Sequence, residues 1–218
     1  MAEIRWFGHN CFRIRAKEAT VIIDPVGKNT GYAMARQTAD IVLLSHDHPG
    51  HANLNGVKPG YQIVEGPGEY EMHDVFITGI RTYHDGEKGA QNGYNTAYLI
   101  DLEGMKFCHL GDLGHMLNED QLEVLNSCDI LMIPVGGGSV ITTEQAAELI
   151  GQLEPKVVLP MQYATAIGDK KLATLEPFTK ALGVTVPDAE EKLTLRSSDL
   201  SETVRLVVLT PEAEAARK

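Results

Sequence analysis

The stretch Ile41-Val42-Leu43-Leu44-Ser45-His46-Asp47-His48-Pro49-Gly50-His51 runs from an uninterrupted apolar segment straight into three of the chain's 8 histidines. A short apolar run bounded by polar residues reads as a buried strand, and the ends of such strands are where α/β folds gather ligands. His46 and His48 stand two residues apart, so in extended backbone their side chains point to the same side. Pro49-Gly50 is a turn signal: proline pre-sets one torsion, glycine accepts a positive one, and the turn can return His51 to the same place. Neutral imidazoles grouped this closely favour Zn, Fe, Mn or Ni over Ca or Mg, with Zn the first expectation.

Around this stretch the first half of the chain reads as short strands, at 4–7, 11–14, 20–24, 41–45, 75–81, 96–101 and 106–110. They are rich in β-branched and aromatic residues and are separated by Gly, Pro, Asn and Asp. The second half alternates. Helical spacing over 119–126 and 143–153 leads into strands at 130–134 and 157–160. Thr142 or Thr143 can cap the second helix, with Gln145 close to the capping-box position. A third helix is expected over 172–182, interrupted by Pro177, and a closing strand over 204–209. The pattern is one α/β domain over residues 1–210, followed by a polar tail, 211–218, expected to fray.

Composition narrows the function. The 218 residues are 43% hydrophobic and 22% charged, ordinary for a globular domain. A formal net charge of -11 argues against a nucleic-acid surface, which needs clustered Lys and Arg. Cys11, Cys108 and Cys128 show no C-x-x-C spacing and fit reduced, buried thiols. No charged-then-apolar leader opens the sequence, and no apolar run approaches the roughly 18 residues of a membrane span, so the expected location is cytoplasmic.

Further polar residues follow the other strands. His84 stands just beyond one strand; Asp112 follows another, between Gly111 and Gly114, where glycines let a carboxylate approach something bulky. Asp24 and Gln162 occupy comparable positions, and the set scattered over strand ends is what one composite site looks like. His109 and His115 are candidates for supporting ligands from behind. Cys11 lies in a strand pattern, where a thiol is more often small core than nucleophile. Asn10, Asn92, Tyr94, Asn95 and Tyr163 sit near strand ends and can equally line a pocket or serve turns and core rims.

In this order and spacing the residues resemble the metallo-β-lactamase superfamily, in particular its small stand-alone metal-dependent hydrolases. The resemblance runs from Trp6-Phe7-Gly8-His9-Asn10-Cys11-Phe12 through Ile23-Asp24-Pro25, Ser45 to His51, His84 and His109-Leu110-Gly111-Asp112. It continues to Pro134-Val135-Gly136-Gly137 and Pro160-Met161-Gln162-Tyr163. It implies a four-layer αββα sandwich with the site along one edge. By resemblance, His46, His48 and His84 hold the first metal, Asp112 bridges to a second, and His51 binds that second ion. Asp24 supports the ligand loop, and the His9 segment lies near the cleft. The family's two remaining second-metal ligands, an Asp and a His, fall on Gly50 and Gln162.

Both departures strike the same half of the site. The expectation is therefore one tightly held metal and a second that is weak or absent. The leading reading is a hydrolase that uses a metal-bound water on an ester, lactone, amide or phosphoester bond of a small molecule, with Asp112 and His51 as catalytic groups. Two others stay open: a non-catalytic ligand- or partner-binding member with one structural metal, and a mononuclear iron redox enzyme. Neither nucleic acid nor membrane is an expected partner, and oligomeric state is left open.

Overall fold

The computed structural model describes residues 1–215. The chain begins with a meander, β1 (Ala2–Trp6), β2 (Phe12–Arg15) and β3 (Thr20–Ile23). Short β4 (Tyr32–Ala33) precedes β5 (Ile41–Leu44) and β6 (Gln62–Glu65), after which β7 (Gly68–Met72), β8 (Val75–Tyr83), β9 (Tyr94–Leu102) and β10 (Met105–His109) follow as hairpins. Then come α1 (Glu119–Leu125), β11 (Ile130–Pro134), α2 (Thr143–Leu153), β12 (Val157–Met161) and α3 (Leu175–Ala181). The chain closes with β13 (Leu193–Leu195), β14 (Arg205–Leu206) and β15 (Glu214–Ala215).

Two mixed sheets lie back to back. One orders its strands β13-β1-β2-β3-β5-β6 and the other β14-β12-β11-β10-β9-β8-β7. Alternation decides which side chains meet between them. Ile4, Trp6, Phe12, Ile14, Val21, Ile23, Ile41 and Leu43 share one buried cluster with Tyr98, Ile100, Phe107 and Ile130, which line one face of the other sheet. The opposite face of the first sheet carries Ile22, Val42 and Leu44, which pack with Phe7, Val26, Tyr32 and Val57 from the connecting segments. β5 is thus buried on both faces, which is why its sequence is continuously apolar rather than alternating.

β10, β11 and β12 are parallel neighbours joined through α1 and α2. Successive right-handed crossovers in one direction place both helices on the same outer face, and α2 and α3 pack together there. The first sheet is covered instead by loops and two single 3-10 turns, Lys28–Thr30 and Leu54–Gly56. Thr142 caps α2 in a full capping box with Gln145, and Asn118 with Gln121 does the same for α1.

Several expectations needed adjustment. α3 starts at Leu175 rather than 172, and Pro177 falls in its first turn, where the missing N–H has no intrahelical acceptor to lose. Strands β6 and β7 carry too many exposed side chains to stand out as strands, and β13, Leu-Thr-Leu with both leucines buried, is too short to do so. The start of the tail is tied down: the Glu212 N–H donates to the Trp6 carbonyl at 2.7 Å, and β15 pairs with β4. The rest of the tail, 216–218, lies outside the described residues.

Candidate metal centre

The site forms where parallel strands end together. β3 delivers Asp24, β5 delivers Ser45 to His51, β8 delivers His84, β10 leads to Asp112 and β12 to Gln162. The two sheets are clamped here: the Thr96 N–H donates to the Ser45 carbonyl at 2.7 Å, and Tyr98 Oη donates to the Leu44 carbonyl at 2.8 Å.

One carboxylate oxygen organises the cluster. Asp112 Oδ2 lies 3.0 Å from His84 Nε2, 3.6 Å from His51 Nε2 and 3.7 Å from His46 Nε2. Burial raises the Asp112 pKa, but the surrounding imidazoles of His51, His84, His46 and His9 outweigh it and hold the carboxyl well below its ordinary range. The His46 and His51 imidazoles are held neutral. Burial pushes His46 down to about 4, against the pull of Asp112, and drives His51 well below its ordinary value.

Other side chains aim these groups. Asp24 accepts from the Ser45 backbone N–H and from Ser45 Oγ, both at 2.7 Å, and Ser45 Oγ stands 2.9 Å from His46 Nδ1. The hydroxyl spends its one proton on the carboxylate, so His46 Nδ1 keeps its hydrogen and Nε2 turns a lone pair toward Asp112. This polarity belongs to ionised Asp24; burial opposes it, pushing that carboxyl up to about 8, and a cation on His46 favours it. Ser45→Ala is accordingly expected to weaken metal binding by about 10- to 100-fold with the fold retained, measured by competition with a chromophoric chelator.

A second relay fixes Asp112. The Gly111 N–H donates to His109 Nδ1 at 3.1 Å, which leaves His109 Nε2 as donor to the Asn10 carbonyl at 2.9 Å. Asn10 Nδ2 in turn donates to Asp112 Oδ1, and the Asp112 N–H donates to Asn95 Oδ1 at 2.9 Å. Gly111 has φ +57, and a Cβ there would sit 2.3 Å from that Asn95 oxygen. Burial pushes His109 down to about 4 from an ordinary 6.5. A histidine whose pKa is depressed by folding contributes stability present above about 6.5 and lost as pH falls toward 4. Asp24, raised by folding, acts in the opposite sense, so the informative quantity is a difference: the slope of stability against pH between 6.5 and 4 should be shallower in metal-free His109→Gln than in the parent, by urea denaturation.

The loop carrying His84 is built on Asp85, whose carboxylate accepts the N–H groups of Glu87, Gly89, Gln91 and Asn92 at 2.8–3.0 Å. His115 Nε2 accepts the Tyr83 N–H at 3.1 Å, pinning the strand end just before His84. Sequence reasoning did not single out Asp85, Ser45 or Ser139, which stands 3.1 Å from His84 Nε2. An aspartate followed by Gly86 was the available signal for the first.

The structure brings the proposed ligands together in overlapping groups. His46, His84 and Asp112 have donor atoms within 4.8 Å of one another; so do His46, His48 and His51, and so do His9, His51 and Asp112. His48 is the exposed member, and its Nδ1 accepts the Gly50 N–H at 3.1 Å. The 48–51 turn closes through the His51 N–H to the His48 carbonyl at 2.9 Å. Gly50 does not take the positive φ expected of it; its use is space, since a Cβ would meet Thr30 Cγ2 at 3.0 Å and His48 Nδ1 at 3.1 Å. Cys11 is wholly buried with its thiol pKa pushed up by desolvation, which suits core and not a nucleophile.

A family model described as a β-lactamase superfamily domain matches residues 3–162. The chain belongs to the metallo-β-lactamase superfamily. A solved Thermotoga maritima chain, described as a candidate Zn-dependent hydrolase of this superfamily, is 31% identical, with a TM-score of 0.78 over 96% of this chain and 98% of that one. A UPF0173 metal-dependent hydrolase of Thermococcus onnurineus is 26% identical across 93% of this chain and 100% of its own length. A metallo hydrolase of Ignicoccus hospitalis shares the fold, with a TM-score of 0.64 at 20% identity over 95% of each chain.

The donor set fits a metal. His46 Nε2, His51 Nδ1, His9 Nδ1 and Gln162 Oε1 are buried without a hydrogen-bond partner, while neutral imidazoles and an ionised carboxylate face one another. Unpaired buried nitrogens of this kind are costly unless something binds them.

Proposed function

We propose that this superfamily member is a metal-dependent hydrolase of small molecules, acting on an ester, lactone, amide or phosphoester bond. The observation that carries it is the convergence of His46, His51 and His84 Nε2 on a single oxygen of Asp112. His46, His48, His84 and Asp112 hold one cation tightly, with Zn the first choice and Fe, Mn or Ni also suited to imidazole-rich sites. When bound, such an ion polarises the scissile carbonyl or phosphoryl oxygen and lowers the pKa of water toward 7.

The chain's own groups do the rest. Asp112, anchored through Oδ1 by Asn10, presents Oδ2 to orient the attacking water. His51 Nε2, neutral and 3.6 Å from that oxygen, can receive the water's proton when it holds no cation. Substrate access is supported by a cavity of about 450 Å³ lined by Ser45, His46, Glu65, Arg81, Tyr94 and Asn95. Its size suits a small molecule. No helix among the described residues is long and apolar enough to cross a membrane.

Metal analysis of the purified chain, followed by a panel of lactones, esters, amides and phosphodiesters with Zn, Mn and Fe, tests this reading. One tightly retained ion and metal-dependent turnover are expected. Retained metal without hydrolysis of any class would leave a binding protein instead.

A further inference from the structure

The half of the site that lost its family ligands is not empty of donors. His9 comes from the turn after β1, far in sequence from His51 and Asp112, yet its donor atom lies with theirs inside 4.8 Å. Its ring meets the His51 ring edge-on, centroids 4.7 Å apart. His9 Nδ1 is buried with no hydrogen-bond partner.

The backbone that places His9 is held against its own preference. His9 has φ +49 and Gly8 has φ +93. A Cβ at Gly8 would sit 2.3 Å from Tyr32, so only glycine lets the turn close against that ring. The His9 carbonyl accepts Trp6 Nε1 at 2.8 Å and the Gln162 N–H at 3.2 Å. A non-glycine residue in this region persists only where its surroundings over-determine it, and such positions cluster at functional sites.

We propose that His9 takes over from the residues missing at 50 and 162 and, with His51 and Asp112, holds a second divalent cation more weakly than the first. The inference rests on the hydrolase reading for the first ion and decides what becomes of the second. Two neutral imidazoles and a shared carboxylate form a donor set of low charge, which favours Zn or Co over Mg or Ca. Gln162 Oε1, buried and unpartnered, is the further oxygen available in this half. A cavity of about 560 Å³, lined by His9, His48, His51, Thr30 and Lys171, opens on this side and gives the ion a route from solvent.

The test is a Zn²⁺ titration of the metal-stripped full chain by equilibrium dialysis and metal analysis. It is paired with Co²⁺ absorption spectra at one and two equivalents. His9→Asn is the principal variant because Asn tolerates the left-handed backbone, and His9→Gly is the second because Gly does so without a side chain. The parent should bind two equivalents in separate steps. Both variants should keep the first step and lose at least about 10-fold in the second, the lower end of what removing even a ligand's hydrogen-bond partner costs. The Co²⁺ bands of the second equivalent should disappear with it. A single step in the parent, an unchanged second step in the variants, or loss of the first step in both would overturn the assignment. A parent with no tight first step would instead overturn the hydrolase reading.

Discussion

Asp112→Asn is expected to abolish metal-dependent turnover and to remove the stabilisation that Zn²⁺ confers. Asp112 belongs both to the group with His46 and His84 and to the group with His9 and His51, so its loss removes the carboxylate from both and leaves intact only the all-histidine group of His46, His48 and His51. The affinity lost should exceed the roughly 10- to 100-fold that follows removal of a ligand's hydrogen-bond partner. A ligand at 100 times its Kd stabilises the folded state by about 2.7 kcal/mol. That increment, read as a thermal shift with and without Zn²⁺, should be present in the parent and absent in the variant. Asn keeps the shape of the side chain, so the metal-free Tm should move little by comparison. A metal-induced shift of parental size in Asp112→Asn would remove Asp112 from the site.

Trp6→Ala carries the second large effect, on stability. Trp6 is buried against Phe12, Tyr32 and Tyr163, the last stacked at 5.1 Å, and its indole N–H is spent on the His9 carbonyl. Truncating a buried tryptophan costs about 3–5 kcal/mol, which for a domain of this size lowers Tm by on the order of 10 °C. Trp6→Phe separates the two roles. It keeps an aromatic ring in the core but drops the donor, worth about 1 kcal/mol, and frees the turn that presents His9. Calorimetry of both variants should rank them in that order; equal losses would mean the hydrogen bond, not the ring, dominates.

How much of this was readable from residue order follows from where the information sits. β5, α2 and the βα units are local: apolar runs, helical spacing and a Thr142–Gln145 cap lie within a few residues of one another. β6 and β7 show mostly exposed side chains, and only pairing with distant strands makes them strands. The histidines at 46, 48 and 51 drew attention by their density and His84 and Asp112 by their places at strand ends, while the superfamily resemblance gave all five their ligand roles. His9 could be placed no closer than the cleft, because its contact with His51 depends on the Trp6–Tyr163 stack and the Gln162 N–H. Asp85 was invisible for a related reason: four backbone donors converge on it only after its loop has folded.

The missing Cβ at position 50 bears on the order in which such a site can change. His48 folds back over Gly50 and accepts its N–H, so the glycine and that histidine's position were set together. An acidic side chain placed at 50 crowds His48 and Thr30 before it supplies a new oxygen, and a carboxylate arriving alone disturbs the ligand shell it would join. Position 162 is more permissive in backbone terms, since it already holds a non-glycine residue at φ +54, a region histidine also visits. Gly50→Asp and Gln162→His therefore should not contribute independently. The accessible mutational path runs through 162 first, and a second carboxylate at position 50 lies across a small epistatic barrier.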